Sequence, residues 1–390
     1  MVRRLRLIST AVLVSVVTSS CLLIYPSAAP RNLNLEGRDD GYDYAPTVLY
    51  VPAEDPAYKL WFCAQQPKTD GEWRSASWDV IMYAESSSPN GPWSEPVEAF
   101  RPNEAAAAFD ADHTCDPSVV RHGGHYYLYY GGLRDKPGST DELAHIGVAK
   151  STDGGRTFTR EQIEPIVSPK NRTCNRPEPI SRWHQCYGAG QPSVVRANGR
   201  FYMVYYDDTG EGGHGLYGGL YMIRSRSPLF TEPEHLVGAT DSTSIWKPGI
   251  DATSSLLGPR AHMPNADMMF IRQTREFFVL GRSGSFVLTP DVDAANGPRS
   301  VDYAQFEPWE INFVGVEVST QDGYGLLRNR NGHALEVDCI DTALGTFPIN
   351  ILDVYIAAGA SPLASGGVIT WDLVRQRGYF HQERNVTSCS

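Results

Sequence analysis

Along this 390-residue chain, several short phrases put a carboxylate, amide or imidazole beside the start of an apolar run. Asp116 opens Asp116-Pro-Ser-Val-Val, with Asp110 and Asp112 just upstream. Gln191 opens a near-copy, Gln191-Pro-Ser-Val-Val, and Asp43 stands two residues before Ala45-Pro-Thr-Val. His262, Asn265 and Asp267 flank Met263-Pro264, and Asp322 precedes the last such stretch. Carboxylates brought together from distant positions can divide acid–base work. One stays ionised as base or nucleophile, and another with a raised pKa protonates a leaving oxygen. In a sugar-sized pocket, that division of labour cleaves glycosidic bonds. Asp116, Asp43 and Asp267 are the candidate catalytic carboxylates. An Asp ahead of Pro also satisfies a turn amide, so Asp116 has a plainer role open to it.

Convergence requires a repeating framework, and the sequence supplies one. Asp116-Pro-Ser-Val-Val-Arg-His-Gly-Gly-His-Tyr-Tyr-Leu-Tyr-Tyr reads as strand, tight turn and tyrosine-rich strand. Val and Tyr favour pleated surfaces, and Gly provides the positive φ of a short turn. The same phrase returns at 191–205, and the prolines at 46, 117, 192 and 264 are separated by 71, 75 and 72 residues. Four units then read as short strands: 45–51, 59–63, 79–84 and a strand after 93; 116–120, 125–130, 145–149 and 151–158; 191–195, 201–206, 219–223 and 227–230; 263–271, 276–280, 285–288 and 306–309. A divergent fifth covers 325–333, 350–356 and 369–374, and the polar stretch 31–42 is expected to lie across one face. Four strands per unit repeated five times without a convincing helix predict an all-β, five-bladed β-propeller over residues 30–390, a single domain with no linker. A pair of β-sandwiches fits the period less well.

Composition bounds the partners. The formal charge of −11 argues against nucleic acid, whose phosphates need a basic face. Arg3, Arg4 and Arg6 precede an apolar run at 7–25, followed by Ser27-Ala28-Ala29. Residues 1–29 therefore read as a signal peptide or as a membrane anchor, and the chain as secreted or held at the extracytoplasmic surface. Cys21 as a lipidated residue is a lesser reading. Six cysteines follow, and an even count in an exported chain suggests three disulfides. The preferred pairs are Cys63–Cys115, Cys174–Cys186 and Cys339–Cys389, although sequence alone permits others. Asn171-Arg-Thr and Asn385-Val-Thr are glycosylation sequons, and such triplets also arise by chance on exposed loops.

The phrases Asp-Pro-Ser-Val-Val…Tyr-Tyr-Leu-Tyr-Tyr and Ala84-Glu-Ser-Ser-Ser-Pro-Asn-Gly-Pro-Trp93 resemble the five-bladed glycoside hydrolases, from residue 43 to about 290. That superfamily includes arabinanases, β-xylosidases and arabinofuranosidases, and more distantly invertases and levansucrases. The resemblance implies hydrolysis of an arabinose- or xylose-containing polysaccharide, with Asp116 as the base or as the residue that tunes the acid. It also implies a Glu as general acid one blade later, where this chain has Gln191. A primary amide cannot donate that proton. Glu178 and Glu211 are the nearest alternative acids, and Gln191 would instead bind a sugar hydroxyl. His262, Trp246 and Trp183 join it as candidate substrate-binding residues, with Tyr187 and Tyr217 as further rim aromatics. The tyrosines of the second strands read as core.

Ser151-Thr-Asp-Gly-Gly-Arg-Thr-Phe is similar to the Asp-box of sialidases, in which Asp153 caps its own turn. Gly210-Glu-Gly-Gly-His-Gly spells a dinucleotide fingerprint but lacks a surrounding βαβ unit. His113, His145, His214 and His262 have no zinc spacing, so no metal site is assigned. The chemistry requires no cofactor, although a calcium ion would suit carboxylates in a central channel. A monomer acting on a carbohydrate substrate is expected. A non-catalytic propeller that binds a glycan or protein is the alternative.

Overall fold

The computed structural model describes residues 23–26, 31–33, 35, 43–67, 77–103, 105, 107–134, 143–170, 187–207, 209, 219–237, 247–249, 266–271, 276–281, 284–288, 328–329, 336–342, 345–360 and 370–381. Regular structure among them is all β. Two short strands, β1 (Leu23–Pro26) and β2 (Arg31–Asn32), precede the first meander, β3 (Asp43–Tyr50), β4 (Tyr58–Pro67), β5 (Ser77–Ser86) and β6 (Val97–Phe100). The second meander is β7 (His113–His122), β8 (His125–Leu133), β9 (His145–Ser151) and β10 (Thr159–Arg160). The third comprises β11 (Ala189–Ala197), β12 (Arg200–Asp207), β13 (Gly219–Ser225), β14 (Glu234–Val237) and β15 (Lys247–Gly249). Next comes a three-stranded sheet of β16 (Asp267–Ile271), β17 (Glu276–Gly281) and β18 (Gly284–Leu288). The last sheet holds β19 (Arg328–Asn329), β20 (Glu336–Thr342), β21 (Gly345–Ala360) and β22 (Thr370–His381).

Within each of the first three meanders, consecutive strands pair antiparallel. A single parallel bridge, Asp79 to His113, fuses the first two into one sheet. The tyrosine-rich β8 is core as expected, because Tyr126, Tyr129 and Tyr130 are all buried. Their hydroxyls still need partners in the interior. Tyr129 donates to the Pro228 carbonyl at 2.7 Å, Tyr130 to Asp110 Oδ2 at 2.9 Å, and Tyr126 to Glu54 at 2.7 Å.

The first strands of successive meanders lie side by side, joined by the hydroxyl that follows the repeat proline. Thr47 Oγ1 donates to the Pro117 carbonyl at 2.6 Å. Ser118 Oγ accepts from the Val194 amide at 2.9 Å, and Ser193 Oγ accepts from the Met268 amide at 2.9 Å. This gives the order β3, β7, β11, β16. Met268 is thereby the counterpart of Val194, and Asp267 that of Ser193. The Pro264 register expected from spacing is therefore displaced by two residues, because the stitching hydrogen bond, not the proline, sets the alignment.

Other expectations change as well. The stretch at 31–42 does not simply lie across a face: β2 pairs with β22, and the Leu33 amide donates to the Leu373 carbonyl at 2.9 Å. Leu33 and Leu373 are buried in the same cluster as Tyr44, Ala45 and Val48, so the last sheet packs on the first. β1, inside the segment read as an export signal, also pairs with β22. Residues 227–230 form a turn, closed by the Phe230 amide on the Ser227 carbonyl, and the outer strand comes later as β14. The polar start of that stretch, Ser227-Pro228, favours a turn. β20 was missed, and the 306–309 strand lies outside the described residues.

Candidate functional site

Asp116 sits in an unusual backbone. The β7–β8 ladder breaks register between Cys115 and Ser118, and Asp116 has φ 51°. Ala45 (φ 50°) and Gln191 (φ 54°) occupy the same bulge in β3 and β11. Proline has no amide to give the ladder, which favours a bulge there. The left-handed conformation is nonetheless not what proline prefers in its predecessor, and a non-glycine residue held in it costs about 1–3 kcal/mol. Three successive first strands thus hold a strained residue at one level. Asp116 and Gln191 are only 2% and 6% exposed.

The Asp116 carboxylate is engaged from the next meander. Tyr187 Oη donates to Asp116 Oδ2 at 2.8 Å. Glycines make room for that ring: a Cβ on Gly190 would lie 2.5 Å from Tyr187 Oη, and one on Gly131 would lie 3.4 Å from it and 3.5 Å from Asp116 Oδ2. The sequence suggested Tyr187 as a rim aromatic, but the contact of its hydroxyl was missed. The signal was the run Tyr187-Gly-Ala-Gly-Gln, where paired glycines announce a close approach.

Beside Asp116, the strand carries a second cluster. His113 Nε2 lies 3.0 Å from Asp112 Oδ2, and its Nδ1 lies 3.1 Å from Asp79 Oδ2. Burial alone would push the imidazole pKa down, but the Asp79 and Asp112 carboxylates override it and push the value up to about 10. His113 is thus an imidazolium at neutral pH. Cys63 and Cys115 form the expected disulfide, with Cα atoms 5.1 Å apart, tying β4 to β7 one residue before Asp116. Asp79 is close enough to both sulfurs to complete a three-ligand group, which is the only such group among the described residues. With its sulfurs bonded to each other it does not resemble the all-oxygen shell that calcium takes.

Asp43 is buried at the start of β3, beside Tyr44, whose Oη lies 2.5 Å from Cys115 Sγ. Asp43 and Asp116 thus sit near the same end of neighbouring first strands. Asp267 is on the fourth first strand, where its Oδ1 accepts from Ser193 Oγ at 2.7 Å. Asp110 is committed elsewhere: Arg160 Nε donates to its Oδ2 at 2.8 Å, as does Tyr130. His145 is buried with Nδ1 3.1 Å from Ser168 Oγ. Glu178, Glu211, Trp183, Trp246, Tyr217, His214, His262, Asp322, Cys174, Cys186 and Cys389, and both sequons, lie outside the described residues. Cys339 falls on β20.

The Asp-box is structural. Asp153 Oδ1 accepts from the amides of Arg156 and Thr157 and from Ser151 Oγ. Burial would raise this carboxyl, but these hydrogen bonds and that of the Thr157 hydroxyl hold it below its ordinary value. The turn presents the Gly155 carbonyl to Trp61 Nε1 at 2.8 Å, and a Cβ on Gly155 would lie 2.5 Å from that indole.

No family model matches the chain, and no curated protein does. Similar solved structures include a family 117 glycoside hydrolase of the marine bacterium Zobellia galactanivorans, 12% identical over 92% of this chain and 90% of that one, with TM-score 0.49. Another is a GH43_1 enzyme from Xanthomonas citri, 11% identical over 89% of each chain, with TM-score 0.48. A third is the endo-arabinase of Bacteroides thetaiotaomicron, 12% identical over 90% of this chain and 96% of that one, with TM-score 0.45. No residue role is carried across at these identities.

Proposed function

We propose that this chain is an exported glycoside hydrolase-like protein, built as a single five-bladed β-propeller of four-stranded blades and acting on an arabinose- or xylose-containing polysaccharide. The observation that carries this reading is Asp116: a buried carboxylate in a left-handed bulge, at one level with Ala45 and Gln191 on adjacent first strands. Strain of this kind gathers at functional sites. The sequence resemblance assigns the same residue to the chemistry.

In this reading Asp116 takes a proton from the attacking water, with Asp43 as the second carboxylate on the neighbouring strand. Asp267 is a further carboxylate of the site, and Glu178 the acid that protonates the leaving oxygen. Gln191, with two amide donors and a carbonyl acceptor, would grip a sugar hydroxyl, alongside His262, Trp246 and Trp183. No cofactor enters the scheme. The protein would work as a monomer outside the cytoplasm, with residues 1–29 exporting or anchoring it.

Gln191 itself favours a second reading, a non-catalytic propeller that binds a glycan, because an amide stands where the resembling enzymes carry their acid. Assaying the purified protein on aryl arabinofuranosides and aryl xylosides, next to Asp116→Asn, separates the two. Turnover that collapses in the variant supports hydrolysis through Asp116. Absence of turnover together with retained binding to arabinan or xylan selects the binding protein.

A further inference from the structure

An Asp carboxylate turns about two side-chain bonds, and one partner able to fix its plane at Asp116 comes from a different meander. Tyr187 and Asp116 are 71 positions apart. Tyr187 is itself held at both ends. Its carbonyl accepts from the Ala144 amide at 2.7 Å, and the Ala189 amide returns a bond to the Ala144 carbonyl at 2.9 Å. Between them Gly188 has φ +100°, where a Cβ would lie 2.6 Å from the Ala144 nitrogen. At the other end the ring passes over Gly190 and reaches Gly131, so neither strand leaves it room to swing.

Resting on the reading of Asp116 above, we infer that Tyr187 is a positioning residue that fixes the Asp116 carboxylate through its hydroxyl, and that Gly131, Gly188 and Gly190 seat it. A purely structural tyrosine in this place would fill space and satisfy its own hydroxyl. The positioning role differs in one respect: the ring without its hydroxyl should preserve the fold and impair the chemistry. Small misplacements of a reacting group are enough, since about 1 Å costs roughly 100-fold in rate.

Tyr187→Phe keeps the ring and removes only the donor. Its kcat on an aryl arabinofuranoside or xyloside should fall about 10- to 100-fold with KM within about twofold, a loss confined to the transition state. Thermal midpoints of Y187F, D116N and the double variant should be non-additive, as for residues in direct contact. An unchanged kcat in Y187F, with D116N inactive, overturns the positioning role and leaves the Asp116 reading standing. Full turnover in D116N overturns the Asp116 reading instead. If the wild-type protein hydrolyses no glycoside, the Asp116 reading and the positioning role fall together, and additive midpoints overturn the coupling of the two side chains as well.

Discussion

His113 Nδ1 lies 3.1 Å from Asp79 Oδ2 at the one parallel bridge that joins β5 to β7. With Asp112 on its other nitrogen, the imidazolium is held between two carboxylates where the first two meanders meet. The bridge and the ion pair coincide, and their titration should be visible in stability.

The folded pKa of His113 is raised, from 6.5 to about 10. Its contribution is therefore fully present below the unfolded value and lost as pH rises through about 10. The ceiling is ~5 kcal/mol. Thermal midpoints measured from pH 6 to pH 10 should decline in the wild-type protein. In His113→Gln the decline should be much shallower. A decline of equal slope in both would remove His113 as its cause.

Asp116→Asn removes the charge with little change in volume. As the proposed base, its loss should lower kcat by about 100-fold or more. Steady-state kinetics on the aryl glycosides give the answer.

Gly190→Ala puts a methyl group 2.5 Å from Tyr187 Oη, closer than the packing allows. Displacing the ring should destabilise the protein by about 1–3 kcal/mol. Activity should fall at least as far as in Tyr187→Phe. Denaturant titration and kinetics on one preparation test both.

Ser193→Ala deletes the hydroxyl that the Met268 amide donates to and that donates to Asp267. Removing both of these buried hydrogen bonds should cost about 1–3 kcal/mol. Urea unfolding would record it as a lower midpoint at unchanged slope.

Reducing the Cys63–Cys115 bond frees a 52-residue separation between β4 and β7. Cys63→Ser/Cys115→Ser should lose about 2–4 kcal/mol. Calorimetry under oxidising conditions compares the two proteins.

Much of the framework was legible beforehand. Period-2 patterning, β-branched and aromatic residues, and glycine turns act over a few residues, so β7, β8, β11 and β12 could be placed from the sequence. The same local signals misplaced the outer strand of the third meander, because Ser227 to Phe230 close on themselves in a turn. β20 was legible too, since Leu335-Glu-Val-Asp-Cys339 alternates apolar and acidic, but it was passed over in the divergent last unit.

The sequence alone therefore determined the all-β class, the repeat and the prominence of Asp116, and it only favoured the Cys63–Cys115 pair that the structure forms. Tertiary structure decided what surrounds Asp116. The Tyr187 contact spans 71 positions and the Ser193 contact with Asp267 spans 74. Each depends on how one sheet packs against the next, and no local propensity encodes that register. The left-handed bulge is likewise a tertiary outcome, since a residue before proline is extended when left to itself.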